Sequence, residues 1–195
     1  MRLISKALKF SFNQETITHK KSFLYSSQKY EFPYISKTMK NIVLISGASF
    51  EAKVYPYQYY ANLASQIDAN FIIIWGSKNE KSIAEKIKLI CSKVCIIDKL
   101  SLDSLVSLIS QVDLVIGADT GPTHLAWALN IPSITLFGPT PGYRNTWLTN
   151  INKIIESDSK VNSKRINYND YSIRNIKVSD IMKLAEELIR KKNNF

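Results

Sequence analysis

The chain has 195 residues, of which 45% are hydrophobic and two are cysteines. This composition excludes collagen-like, low-complexity and disordered classes of protein, because it supplies enough apolar side chains for a core. No apolar run approaches the roughly 20 residues that a membrane-spanning helix needs, and no secretory signal is expected. Two cysteines are too few for a disulfide scaffold. We therefore expect a cytosolic protein of one domain with appendages.

The net charge of +10 is concentrated at the two ends of the chain. Residues 1–53 carry nine Lys and Arg against three Asp and Glu, residues 151–195 carry ten against six, and residues 54–150 carry seven of each. A nucleic-acid-binding module would gather its basic residues on one binding element, so this class is disfavoured. The basic ends are compatible with an anionic membrane surface, an acidic partner or a plain solvated surface.

The segment 41–157 alternates short apolar runs with amphipathic stretches. The apolar runs predict five strands, over 42–45, 71–75, 94–97, 114–116 and 134–137. Helices are predicted between them, over 57–67, from 77–80 to about 90, over 101–109 and from about 122 to 130. Pro56 favours the start of the first helix. Ser77 and Glu80 have capping-box spacing for the second, and Ser101 is an N-cap candidate for the third.

Short strands that alternate with helices predict an α/β fold, a Rossmann-like parallel sheet with helices on both faces. In such sheets, ligands bind beyond the carboxyl ends of the strands. The loops expected at that edge are 47–56, 76–80, 98–101, 117–123 and 138–146. Helical spacing of apolar residues recurs over 3–8. A last helix is expected to have Ser179 as its N-cap, with an apolar stripe of Ile181, Leu184, Ala185 and Leu188.

The segment 117–126 combines a strand end, a tight turn and a helix start. Free N–H groups at such a helix start, near Thr120 and Gly121, form an anion site without any special side chain. Asp119 is acidic in a place that favours anions, so we expect it to have a dedicated partner, such as a sugar hydroxyl or the helix N–H groups. In the simpler interpretation, Asp119 or Thr120 only caps the helix and His124 lies in the core.

These residues resemble the donor-site signature of a known family. The run Asp-Thr-Gly-Pro-Thr-His-Leu-Ala at 119–126, continued at 128–129, 132 and 136–140, resembles the lipopolysaccharide heptosyltransferases, the ADP-heptose-dependent glycosyltransferase family 9. Trp75-Gly76 with Glu80, and Leu-Ser-Leu at 100–102, also match. The resemblance extends from Asn41 to the final helix and best suits the heptosyltransferase I subgroup. It implies that the chain is the C-terminal half of a GT-B glycosyltransferase.

The resemblance also implies roles for single residues around the donor. Ser49 and Lys53 match residues that bind the donor pyrophosphate, although Phe50 stands where the family usually has a second Thr. Glu80 matches a carboxylate at the nucleoside end, and Leu100 matches an apolar residue against adenine. From the residues alone, Glu80 is also an ordinary capping-box residue and Lys53 an ordinary solvated loop lysine.

Four further site residues follow from the same resemblance. Asp119 matches the residue that contacts the heptose, Thr120 and Gly121 match phosphate binders at a helix N-terminus, and His124 matches the signature histidine. No cofactor is implied. No metal is implied either, because the sequence has no Asp-x-Asp pair that would suggest a metal-bridged diphosphate.

The implied reaction is inverting transfer of heptose from ADP-heptose to the Kdo-bearing inner core of lipopolysaccharide. In enzymes of this family the general base is an Asp in the N-terminal half of the protein, so no catalytic residue is expected in this chain. The expected organisation is a linker and interdomain helix (1–40), a Rossmann-like ADP-sugar-binding domain (41–178) and a C-terminal helix (179–195). The alternatives are a catalytically inactive nucleotide-binding remnant and one half of a split enzyme with a separately encoded N-terminal half. The implied location is the cytoplasm, with peripheral contact to the anionic inner membrane as a further option.

Overall fold

The computed structural model describes residues 21–28 and 30–192. The strands in this part of the chain are β1 (Asn41–Ile45), β2 (Asn70–Ile74), β3 (Cys95–Ile96), β4 (Leu114–Ala118), β5 (Ser133–Phe137) and β6 (Asn152–Glu156). They form a six-stranded sheet in the order β3-β2-β1-β4-β5-β6. Every neighbouring pair is parallel, which confirms the predicted Rossmann-like sheet.

Helices cover both faces of this sheet. They are α1 (Tyr57–Gln66), α2 (Lys78–Ile90), α3 (Leu102–Ser110), α4 (Gly121–Ala128), the short α5 (Gly142–Asn145) and α6 (Val178–Lys192). Two 3₁₀ turns, Glu51–Lys53 and Ser172–Asn175, complete the regular structure of the described residues. Helices α1, α2 and α6 pack on one face, and α3 and α4 pack on the other.

The central strands are buried on both faces because successive side chains of a strand point in opposite directions. In β1, Ile42 and Leu44 join the core under α1, α2 and α6, whereas Val43 and Ile45 join the core under α3 and α4. All four are at most 5% exposed. Since burying one such side chain contributes about 1.5–3 kcal/mol, the paired central strands form a rigid base for the loops that leave their carboxyl ends.

The predicted helix starts are largely confirmed. Ser77 and Glu80 form the capping box of α2, and the Ser101 side chain accepts from the backbone N–H of Ser104 at the start of α3. The expectation for Ser179 is wrong, because α6 begins at Val178 and takes that residue into its first turn. The apolar stripe of α6 is confirmed, with Ile181, Ala185 and Leu188 buried and Leu184 half-buried.

Three parts of the chain differ from the expected organisation. Strand β6 and helix α5 were not predicted at all. Residues 21–28 and 30–40 contain no helix, and Leu24, Phe32 and Tyr34 from this segment pack against the core under α3 and α4. The helical pattern over 3–8 lies outside the described residues. In the part of the chain that is described, no helix is both long and apolar enough to cross a membrane.

Candidate functional site

The loops that follow β1, β2, β3, β4 and β5 all leave the same edge of the sheet, because the strands are parallel. Ser49 and Lys53 follow β1, and Asp119 and Thr120 follow β4. β1 and β4 are direct neighbours. Residues that are distant in sequence therefore meet at the edge that the sequence predicted.

A cavity of about 290 Å³ opens at this edge. Four of the predicted site residues line it: Ser49, Glu80, Leu100 and Thr120. The rest of the lining is mostly apolar and consists of Ile45, Gly47, Ala48, Ile74, Trp75, Gly76, Leu105 and Pro122. A concave apolar wall with a few polar groups is typical of sites that bind a small organic ligand.

The Glu80 carboxylate serves the start of α2 and also faces this cavity. Its Oε2 accepts hydrogen bonds from the backbone N–H groups of Gly76 (2.6 Å) and Ser77 (3.1 Å). The capping interpretation of Glu80 is therefore confirmed, while its place in the cavity lining leaves room for a second role. Gly47 leaves room for this conformation of Glu80, because a Cβ at position 47 would lie 2.4 Å from the Glu80 carboxyl carbon.

A compact polar cluster lies next to the cavity and is centred on Asp119. Oδ2 of Asp119 accepts from Lys53 Nζ (2.9 Å), Thr140 Oγ1 (3.0 Å) and Asn145 Nδ2 (2.9 Å). Oδ1 pairs with His124 Nε2 at 2.9 Å. Asp119 is thus the point where the loops after β1, β4 and β5 and the first turn of α4 are joined.

The charge state of Asp119 follows from these contacts. Burial by itself would raise the pKa of the Asp119 carboxyl, but hydrogen bonds from His124 and Lys53, the charge of Lys53 and the Asn145 amide outweigh it. The pKa is therefore held well below its ordinary value, and the carboxylate is ionised at neutral pH. Because Lys53 and Asp119 are both more than nine-tenths buried, this is a desolvated ion pair rather than a surface salt bridge.

The simpler interpretation of this segment is wrong for Asp119 and His124. Asp119 bonds to side chains from other elements, and the N-cap position of α4 belongs to Thr120, whose side chain makes no capping hydrogen bond. The His124 side chain is 38% exposed, so it does not lie in the core. Gly121 opens α4 with free space where a Cβ would be, since no atom of the described part of the chain lies within 4 Å of that point.

The Lys53 side chain is held beside aromatic rings. Its Nζ lies 5.6 Å from the centre of the Phe50 ring, and the Phe50 ring contacts Tyr168 at a centroid distance of 4.7 Å. Among the described residues, only Asp119 accepts a hydrogen bond from Nζ. An ammonium group has three N–H donors, so this buried cation retains two donors for an acceptor from outside the protein.

Sequence reasoning missed three polar residues at this edge. Thr140 ends the stretch 136–140 that matches the family signature but received no role, and Asn145 lies in the unpredicted helix α5. Ser46, at the end of β1, is 1% exposed and its hydroxyl has no hydrogen-bond partner in the described residues. The available signal was topological, because the loop 138–146 was placed at this edge, yet nothing in its residue types marked Thr140 or Asn145 as partners of Asp119.

Comparisons with known proteins show the family to which the chain belongs. Residues 1–171 match the model of glycosyltransferase family 9 (heptosyltransferase). Lipopolysaccharide heptosyltransferase 1 of Campylobacter coli is 42% identical over 164 residues, a match that covers 79% of this chain and 48% of the relative. The enzyme with the same name from Pseudomonas aeruginosa is 28% identical over 110 residues, which is 54% of this chain and 31% of the relative.

Solved structures show the same fold. The Escherichia coli heptosyltransferase WaaC with ADP superposes with a TM-score of 0.70 at 17% identity, over 96% of this chain and 54% of that one. Escherichia coli ADP-heptose heptosyltransferase II gives a TM-score of 0.68 at 21% identity, over 82% and 49%. The chain spans about half the length of the first relatives that it matches. Its sequence and its fold together place this chain in glycosyltransferase family 9, the heptosyltransferase family.

Proposed function

We propose that this chain is the donor-binding half of an enzyme that transfers heptose from ADP-heptose to the inner core of lipopolysaccharide. The observation that carries the proposal is the cavity at the carboxyl edge. Its lining includes Ser49 and Thr120, and Asp119, next to Thr120 in the chain, holds a buried lysine that has two further donors. An apolar cavity next to an unsatisfied cation suits a ligand with a flat base at one end and a diphosphate at the other. The related enzymes are named for heptose transfer.

The nucleoside end of the ligand is assigned to the cavity. Leu100 provides an apolar surface for the adenine ring, and Glu80 faces the same space. A carboxylate there accepts hydrogen bonds from the ribose hydroxyls with the oxygen lone pairs that its two backbone contacts leave free. This arrangement favours a nucleotide with a defined base and sugar over a simple polyphosphate.

The diphosphate is assigned to the groups between the cavity and Asp119. Lys53 contributes its two free N–H donors, Ser49 contributes a hydroxyl, and the start of α4 at Thr120 and Gly121 contributes backbone N–H groups and the positive end of the helix dipole. Negative charge grows on the diphosphate as the sugar leaves. Donors that are fixed in advance at this position stabilise the transition state electrostatically.

The heptose is assigned to the side of the site where Asp119 and His124 lie. Oδ2 of Asp119 already accepts three hydrogen bonds, whereas Oδ1 accepts one. A sugar hydroxyl is therefore expected to donate to Oδ1. The general base that deprotonates the acceptor hydroxyl is assigned to the other half of the full-length enzyme, since the related enzymes are about twice as long as their match to this chain.

Calorimetric titration of the chain with ADP, UDP and GDP tests this proposal. We expect weak but measurable binding of ADP, with UDP and GDP clearly weaker. Equal binding of all three nucleotides would contradict an adenine-binding cavity at Leu100 and Glu80. Absence of any binding would contradict the donor-binding function and leave only the family and the fold.

A transfer assay separates an active half-enzyme from an inactive remnant. The chain alone is expected not to transfer heptose from ADP-heptose to a Kdo-bearing lipid A. Transfer that appears when the N-terminal half of the Campylobacter coli relative is added would support a split enzyme. ADP binding without transfer under either condition would favour a nucleotide-binding remnant.

The basic ends of the chain support one further element of the proposal, peripheral contact with the cytoplasmic face of the inner membrane. The excess of Lys and Arg lies in residues 1–53 and 151–195, and basic segments are attracted to anionic lipid. Co-sedimentation with phosphatidylglycerol vesicles at low salt, but not with phosphatidylcholine vesicles, is the expected result. Equal behaviour with both lipids would contradict this contact.

A further inference from the structure

Thr140 and Asn145 donate to the same oxygen of the same buried carboxylate, although neither has a role in the assignments above. We propose that these two residues are positioning residues for diphosphate binding, because through Asp119 they fix the direction in which Lys53 presents its free donors. The inference rests on the proposed function of this site and extends it to the loop after β5.

The Asp119 carboxylate has a limited number of acceptor positions. A carboxylate oxygen has two lone pairs, and the whole carboxylate offers about four acceptor positions. Oδ2 of Asp119 receives Lys53, Thr140 and Asn145, all within 3.0 Å. Oδ2 is therefore saturated, and the two neutral donors hold the carboxylate plane even if the lysine moves.

The crowding at Oδ2 also constrains Lys53. Oδ2, the oxygen that Lys53 contacts, already accepts three hydrogen bonds and has no lone pair left for a second N–H of the ammonium. Phe50 limits the motion of the side chain on another side. Lys53 thus donates one N–H to Asp119, and its other two N–H groups point away from this carboxylate. Without Thr140 and Asn145, the carboxylate is free to rotate and accept two of the three donors.

The loop that carries Thr140 and Asn145 is fixed by contacts of its own. Gly138 lies so close to Ile173 that a Cβ would be 2.7 Å from the Ile173 Cβ. The backbone N–H of Gly142 donates to Glu156 Oε1 at 3.1 Å, and Thr140 is 3% exposed. β6 and the turn Ser172–Asn175 therefore restrain the loop. As a result, Thr140 and Asn145 have fixed positions at Asp119.

The competing explanation is that Thr140 and Asn145 only tie the loop to the sheet. Thr140→Val removes the hydroxyl and keeps the shape, whereas Thr140→Ser keeps the hydroxyl. Thr149→Val is the matched control, because Thr149 Oγ1 also bonds to a side chain, Asn152 Oδ1 at 2.9 Å, but at the amino end of β6. Each variant is titrated with ADP and with adenosine, which has no phosphate, and its thermal unfolding is recorded.

For a positioning role, Thr140→Val lowers ADP affinity roughly 5- to 10-fold and leaves adenosine affinity unchanged. Thr140→Ser restores ADP binding, and Thr149→Val lowers only the unfolding temperature. Equal losses for ADP and adenosine, or unchanged ADP affinity in Thr140→Val, would overturn the inference alone. Absence of ADP binding by the unmodified chain would overturn the proposed function as well, so the two failures are distinguishable.

Asn145→Asp gives a second, independent readout. It places another carboxylate about where an amide nitrogen now lies 2.9 Å from Asp119 Oδ2, and two adjacent carboxylates share a proton. The charged or titratable groups around this position are Lys53, His124, Arg144 and Glu156. We expect ADP affinity to fall at pH 8 and to recover between pH 8 and pH 5, a trend that Asn62→Asp on the exposed face of α1 does not show. The same pH trend in both variants would contradict the inference.

Discussion

The ammonium of Lys53 and the carboxylate of Asp119 lie 2.9 Å apart although 66 positions separate them in the chain. The pair joins the loop after β1 to the end of β4, and both side chains are more than nine-tenths buried. A buried ion pair stabilises a fold little in itself, but removal of one partner leaves an uncompensated charge. A fixed cation in a concave site is instead what an anionic ligand needs.

Lys53→Ala is expected to weaken ADP binding by about 1.5–3 kcal/mol, the range for hydrogen bonds to charged groups. Adenosine binding should change little, and the ADP affinity of the unmodified chain should fall as salt rises. Calorimetry on variants that circular dichroism shows to be folded measures both effects. Lys40→Ala is the matched control, since Lys40 pairs with Asp113 at 3.6 Å at the opposite edge of the sheet. Unchanged ADP affinity in folded Lys53→Ala would exclude the loop after β1 as the phosphate site.

Asp119→Asn is expected to change the pH dependence of stability. The native-state pKa of Asp119 is lowered relative to its unfolded value of about 3.9. The ionised carboxylate therefore contributes its full stabilisation at any pH well above 3.9. The difference in unfolding free energy between the unmodified chain and the variant should be constant from pH 8 to about pH 5 and shrink below about pH 4. Urea unfolding at each pH measures it, with the exposed Asp98→Asn as control. A constant difference down to pH 2 would show that Asp119 has no lowered pKa.

Gly121→Ala and Gly138→Ala should have opposite effects on stability. A Cβ at Gly121 meets no described residue within 4 Å, and alanine is favoured over glycine in a helix by about 1 kcal/mol, so stability should rise or stay level. A Cβ at Gly138 meets Ile173 backbone nitrogen at 2.9 Å, so we expect a loss of about 1–3 kcal/mol. Thermal unfolding measures both changes.

Of the two glycine variants, Gly121→Ala also tests the position of the ligand. The open space at Gly121 is where the proposed diphosphate lies, so Gly121→Ala should lower ADP affinity while the protein is at least as stable as before. ADP affinity that is equal to that of the unmodified chain would show that the phosphates do not approach the start of α4.

Glu80→Gln separates the capping role of Glu80 from its proposed contact with the ribose. Gln also completes a capping box, so the unfolding temperature should change little, whereas Ser77→Ala should lose about 1 kcal/mol of stability. Loss of the carboxylate should weaken ADP and adenosine alike, because both carry the ribose. Calorimetry with the two ligands measures this. If both affinities stay the same in Glu80→Gln, the only role of Glu80 is to cap α2.

The sequence predicted the central strands and helices well because local signals and burial agree there. Ser77, Glu80 and Ser101 mark helix starts by hydrogen bonds within one turn, and such bonds depend only on local spacing. β6 was not predicted because, within residues 21–28 and 30–192, it is an edge strand that pairs only with β5, and its apolar residues are just Ile154 and Ile155. An edge strand needs fewer apolar residues, so its pattern is weak.

The site was predictable only in part, because local sequence patterns do not reveal contacts between distant segments. Ser49, Glu80, Leu100 and Thr120 were placed at one edge by topology and by resemblance, and the structure brings them into one cavity. The contact of Lys53 with Asp119 was not predicted, since no local pattern links two positions 66 residues apart. Thr140 and Asn145 have residue types that are common in turns, so only the folded chain shows that they bond to Asp119.

The strand order also has a consequence for how the protein acquires its binding capacity. β1 has β2 on one side and β4 on the other, so its second neighbour is synthesised only after three helices. Contacts between distant segments form late in folding, because closing long loops is slow. A partly folded chain that contains only β1, β2 and their helices therefore lacks the part of the cavity wall that Leu100, Leu105 and Thr120 form, and it also lacks the Lys53–Asp119 pair. For the proposed donor site, ADP is therefore expected to bind only after β4 has joined β1, and ADP added during refolding should bind only chains that have reached this stage.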